Sequence, residues 1–129
     1  MSEMTPPYIS VRAHNLGVVQ HAYARWAETK GQSAEDFLGL MADRIEMRSV
    51  LSPQLPDDLA ADRKSKAEAE EYFAVIARDW EMLDFDVDRF ISDGDDIVMV
   101  GRCRWRHRKT NKEIDSPKVD IWHFNGGKA

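Results

Sequence analysis

Asp120 is the side chain in this sequence best placed to do acid/base chemistry. It lies in "SPKVDIWHFNGGKA", residues 116–129, among residues that otherwise read as a buried strand. Successive strand side chains point to opposite faces, so Asp120 shares a face with Trp122 and Phe124. A hairpin centred on Thr110-Asn111 joins this strand to "DIVMVGRCRWRHR", residues 96–108. That register sets Arg108 against Glu113, Arg106 against Asp115 and Gly101 against Asp120. It gathers Ile97, Met99, Cys103 and Trp105 on the face of Asp120, and Arg102, Arg104, Arg106 and Arg108 on the other. A carboxyl on the apolar side, beside the space a glycine leaves, loses the water that favours its charged form. Kept protonated, it can donate a hydrogen bond to a developing oxyanion or pass on a proton. Two plainer outcomes stay open. The acid could be hydrogen-bonded to a Tyr, a Trp or the backbone and serve only the fold, or a one-residue slip could turn it to solvent.

The remaining chemistry-bearing residues point to fewer possibilities. His14, His21, His107 and His123 are scattered, with no pair at ligand spacing beside a Cys or an acid triad, so no metal site is expected. His123 falls on the arginine face. Cys103 is the single cysteine, which excludes an internal disulfide, and it reads as a small apolar filler. There is no glycine-rich phosphate loop, and no cofactor is expected. "RCRWRHRKTNK" has the look of a basic ribbon for nucleic acid, but a net charge of −5 favours a solvated or dimer-facing sheet surface. No nucleic-acid partner is expected. No stretch approaches the roughly 20 apolar residues of a membrane span, and the N-terminus lacks a signal-peptide core. A cytoplasmic protein without a membrane partner follows as the expectation.

The elements that must position Asp120 are readable from periodicity. The 129 residues suffice for one domain. Residues 1–13 hold Pro6 and Pro7 and read as a flexible arm, leaving a single domain over 14–129. Leu16, Val19, Tyr23 and Trp26 recur at helical spacing, and Lys30-Gly31 stops that helix. Ser33 with Asp36 makes a capping-box-like start for a short second helix carrying Phe37, Leu38, Leu40 and Met41. "RIEMRSVL", residues 44–51, alternates as a strand. A Pro- and Asp-rich connection covers 52–64. Ser65 and Glu68 form a second capping box, and Ala69, Tyr72, Phe73, Ile76 and Trp80 give the third helix its buried stripe. "FDVDRFI" then pairs with the strand at 96–108. A three-residue loop at Asp93-Gly94-Asp95 sets Asp86 opposite Arg102 and leaves Val87 and Ile91 on the apolar face. Helices first and antiparallel strands later make an α+β arrangement.

Three N-terminal helices, a strand after "LMAD", the "VDRFISDGDDIVMVGR" hairpin and "VDIWHFNGGK" together resemble the NTF2-like superfamily. The closest branch is the SnoaL-like and ketosteroid-isomerase-like group. The resemblance implies an NTF2-like (cystatin-like) cone, a curved antiparallel sheet wrapped around three helices, with a deep pocket for a small, mainly apolar organic molecule. It also implies a homodimer through the outer sheet face. Asp120 falls where ketosteroid isomerases place the aspartic acid of their oxyanion hole, beside a tyrosine. Tyr23, Trp26 and Arg25 lie near the place of that tyrosine. The position of the isomerase base falls near Ser49, with Glu46 and Asp43 nearby, and holds no carboxylate. Relatives of limonene epoxide hydrolase carry Arg-x-Asp on a central strand, which "RCRWR" lacks. In relatives a further strand follows the Gly-Gly-Lys turn, so the last strand is expected to be missing or truncated here. The functional expectation is cofactor-free acid/base catalysis of the isomerase, cyclase or dehydratase kind by Asp120. Tyr23, Trp26, Met47, Trp80, Met99, Trp105 and Trp122 would shape the ligand site. The alternative is a non-catalytic ligand-binding or dimerisation module.

Overall fold

The computed structural model describes residues 7–47 and 62–129, with side chains from residue 11 onward. Helix α1 spans Pro7–Glu28 and so begins within the stretch expected to be an arm. Proline suits a first helical turn, where its missing N–H has no partner to lose. Val19, Ala22, Tyr23 and Trp26 form its buried stripe. The helix stops at Lys30 and Gly31, both with positive φ, where the Gly31 N–H donates to the Trp26 carbonyl at 2.9 Å.

Helix α2 (Ala34–Leu40) follows Ser33, but the serine makes no side-chain capping bond. The expected box does not form, because Asp36 instead accepts from Arg25 Nε at 3.1 Å. Strand β1 (Arg44–Met47) pairs antiparallel with β2 (Arg63–Ser65), a three-residue strand hidden in the Pro- and Asp-rich connection. Positions 48–51 of the expected first strand, Ser49 among them, lie outside the described residues. Helix α3 (Lys66–Asp79) does carry a side-chain cap. Glu68 N–H donates to Ser65 Oγ at 3.1 Å, and Glu68 Oε1 accepts from Lys64 N–H at 2.9 Å.

Strands β3 (Trp80–Asp93), β4 (Asp96–His107) and β5 (Glu113–His123) form one antiparallel sheet in that order. Trp80 therefore opens β3 instead of closing the α3 stripe, and its ring meets His107 edge-on at 4.8 Å. The first hairpin has a two-residue turn, Gly94-Asp95, since Asp93 pairs with Asp96. Asp86 nevertheless faces Arg102, because a bulge at Asp88 supplies the residue that the shorter turn lacks. The bulge also reverses the faces beyond it. Phe90 opposes Met99 inside, and Ile91 opposes Val98 outside, 44 % exposed, where the sequence had suggested the apolar face. A second bulge lies at Leu83, whose carbonyl accepts from Lys30 Nζ at 2.9 Å.

The second hairpin is displaced by two residues from expectation. Arg106 pairs with Glu113 and Met99 with Asp120, leaving Gly101 opposite Lys118. The cause is the loop, which closes from His107 to Lys112 with Asn111 in the left-handed region (φ 61°). A shift of two conserves parity, so Asp120 stays on the inner side. Pro117 sits in β5 without breaking a ladder, as among the described strands β5 has a neighbour on one side only. Beyond β5 the chain turns through Gly126 (φ 71°), and Ala129 bonds through its backbone to Leu40 and Ala42. The helices pack on the concave face, where Tyr23, Trp26, Phe37, Phe85, Met99 and Phe124 make the centre of the core. This is the α+β cone expected of an NTF2-like chain. Among the described residues no helix is long and apolar enough to cross a membrane.

Candidate functional site

Asp120 meets side chains from α1 and β5. The Tyr23 hydroxyl donates to Asp120 Oδ2 at 2.6 Å, and Trp122 Nε1 donates to the same tyrosine oxygen at 2.8 Å. On the other side, Lys118 Nζ stands 3.0 Å from Asp120 Oδ1. Residues 118, 120 and 122 share one face of β5 by alternation, and α1 lies beneath them. The side chains of Asp120 and Lys118 are 28 % and 33 % exposed, so solvent or a ligand reaches them, whereas Tyr23 is buried.

The charges are mutually consistent. Burial pushes the Tyr23 phenol far above its ordinary value, and the charge and hydrogen bond of Asp120 push it further. Tyr23 is thus a permanent donor. Burial pulls the Lys118 ammonium down, but Asp120, Tyr72 and the hydrogen bond to Asp120 outweigh it, and the net shift is upward. Burial also raises the Tyr72 phenol, with Asp120 adding and Lys118 and Arg63 opposing. The Arg63 guanidinium lies 5.7 Å from the Tyr72 ring centroid. Both Asp120 oxygens accept from donors, one of them cationic. Asp120 is thus held from two sides, by the Tyr23 hydroxyl at Oδ2 and the Lys118 ammonium at Oδ1.

Four of the sequence-named residues come together: Asp120, Tyr23, Trp122 and, directly opposite on β4, the buried Met99. Trp26 and Trp105 lie 6.4 Å apart in the same aromatic cluster. Trp26 reaches Tyr23 only through Phe37, at 5.3 Å and 4.9 Å. Trp80 stands beside His107, separated from Met99 by a length of β4 of about 27 Å at the ordinary rise per residue. Met47 is half-buried on β1, opposite Arg63. Arg25 turns outward to Asp36 and Glu35.

Two residues near Asp120 were not named as site residues at the sequence level, Lys118 and Tyr72. Lys118 was findable, since it precedes Asp120 by two positions and must share its face. Tyr72 was placed on a buried stripe, with nothing in the spacing to aim it at β5. Gly101 also has a different job from the one expected. A Cβ there would lie 2.3 Å from the Asp86 carbonyl oxygen, so the missing side chain makes room for the β3 backbone and not for Asp120.

The arginines of "RCRWR" pair with acids on the outer face: Arg102 with Asp115 at 2.8 Å, Arg104 with Asp84 at 2.7 Å, and Arg106 with Glu81 at 3.1 Å. Burial raises the Cys103 thiol, which disfavours a nucleophilic thiolate. Among the described residues no group of three or more His, Cys, Asp or Glu could hold a metal ion. A cavity of about 190 Å³ is lined by Glu46, Asp62, Arg63 and Lys64 at the β1–β2 pair, with Asp120 not in its wall.

Residues 19–129 match the SnoaL-like domain family. An NTF2-like protein of unknown function from Burkholderia pseudomallei is similar in structure, with TM-score 0.71 and 19 % identity over 89 % of this chain and 84 % of that one. So is an NTF2-like protein from Burkholderia thailandensis, with TM-score 0.70 and 20 % identity over 97 % and 85 %. TerC, co-crystallized with polyporic acid, has TM-score 0.65 and 18 % identity over 89 % and 85 %. No curated protein shows significant similarity to this sequence.

Proposed function

Because the chain belongs to the SnoaL-like domain family, we propose that it binds a small, mainly apolar organic molecule on its concave face and moves a proton there through Asp120. The observation that carries this reading is the two-sided hold on one carboxylate. Tyr23 and Lys118 fix its oxygens while its edge remains open. A base so placed can take a proton from carbon beside a carbonyl and return it elsewhere, without a cofactor. Aromatic walls from Trp122 and Phe90 suit an apolar ligand. The co-crystallization of the structural neighbour TerC with polyporic acid supports a small organic ligand.

A dimer through the outer sheet face belongs to the same proposal. Ile91, Val98, Val100, Val119 and Ile121 adjoin across the three strands there, and Val119 and Ile121 are 60 % and 72 % exposed. A second reading, a non-catalytic binding or dimerisation module, is favoured by one observation. Phe37 stacks with Phe73 at 5.9 Å and with Trp122 at 5.6 Å, filling much of the cone beneath the acid. The two readings separate on α-proton exchange of 2-tetralone in D₂O, followed by NMR. The wild-type protein is expected to accelerate exchange, and Asp120→Asn to lose about 10²–10⁴-fold of that acceleration with an unchanged circular dichroism spectrum. Equal rates in the two proteins would remove the catalytic assignment.

A further inference from the structure

Within the polar cluster around Asp120, the Lys118 ammonium has donors to spare. Lys118 has three N–H donors, and among the described residues the contact of its ammonium is to Asp120 Oδ1. Tyr72 adds a hydroxyl within electrostatic reach of both Lys118 and Asp120. The buried Arg63 guanidinium stands 5.7 Å from the centroid of the Tyr72 ring. On the acceptor side, Asp120 Oδ2 takes the Tyr23 hydroxyl, Oδ1 takes Lys118, and the Tyr23 oxygen takes Trp122. An apolar ligand seated here with no acceptor would leave the half-buried ammonium short of partners, which is costly away from water. A ligand oxygen carrying negative charge would satisfy it.

We propose that Lys118 is the specificity determinant of the site and selects an organic anion, an aromatic or otherwise apolar ligand bearing one ionised oxygen. The proposal rests on the reading above, that the concave face takes a small organic molecule, and names its charge. Asp120 opposes an anion, but its own charge is compensated within the cluster. The ligand oxygen is received on the Lys118 side, away from Oδ2 and Tyr23. Lys118 acts by direct contact with the ligand, through donors beyond the one it gives to Asp120.

Isothermal titration with a matched pair of probes, 2-naphthoate and its neutral isostere 2-naphthamide, tests this. The wild-type protein is expected to bind the carboxylate at least about tenfold more tightly than the amide. Lys118→Gln is expected to bring the two within about twofold by weakening the carboxylate alone, and Lys118→Arg to restore most of the preference. Amide binding equal to that of the carboxylate, or a preference that survives Lys118→Gln, overturns the charge selection and leaves the binding site standing. Failure of both probes to bind overturns the site together with its selectivity.

Discussion

Tyr23 accepts from Trp122 and donates to Asp120, so one hydroxyl satisfies two groups that the core could not otherwise bury. Its phenol is raised in the folded state chiefly by burial, and that of Tyr72 likewise. Raised folded values mean that the stability they contribute is fully present below the ordinary phenol value of 10.0 and is lost as pH rises above it, since the unfolded chain ionises first. Alkaline titration followed at 295 nm should therefore show Tyr23 and Tyr72 ionising only as the fold is lost, in step with the circular dichroism signal. Ionisation of all three tyrosines in the sequence ahead of unfolding would contradict the buried network. At this scale residue spacing was informative about the side of Asp120, and it was the family resemblance that put Tyr23 near the place of a tyrosine partner. Nothing in local spacing brings α1 under β5.

At the scale of elements, alternation in β5 survived an error in register. The second hairpin was placed two residues out, and the inner set of residues 118, 120 and 122 was unaffected because the side-chain period is two. What changed was the opposite neighbour, Met99 in place of Gly101. The bulge at Asp88 was not legible, since a bulge is a choice of pairing and leaves no fixed residue signature in β3, and Ile91 changed face because of it. Gly101 is the sequence mark of the close β3–β4 approach. Gly101→Ala would force a Cβ against the Asp86 carbonyl, a contact of 2.3 Å that only backbone movement can relieve. The expected cost is about 1–3 kcal/mol in urea unfolding. A variant as stable as the wild type would mean that the strands can part freely.

At the scale of the whole molecule, the convex sheet face combines an apolar end with a ladder of exposed ion pairs that add little stability individually. Ile121 is the most exposed large apolar side chain in the described part of the fold. Ile121→Arg should convert the proposed dimer to a monomer in sedimentation velocity while leaving naphthoate binding on the concave face in place. Unchanged sedimentation would place any self-association elsewhere. The same outer face explains why "RCRWR" carries so many arginines. Their partners Glu81, Asp84 and Asp115 come from the two neighbouring strands and are distant in sequence.

From the sequence alone came the order of elements, the α+β class, the resemblance to the SnoaL-like group and the inward side of Asp120. These depend on periodicities of two and 3.6, which local residue choice must obey. The tertiary structure decided which donors surround that side chain. Tyr23 reaches Asp120 from α1 and Lys118 from the same strand, and the surroundings of a partly buried group depend on such tertiary neighbours as well as on its own strand.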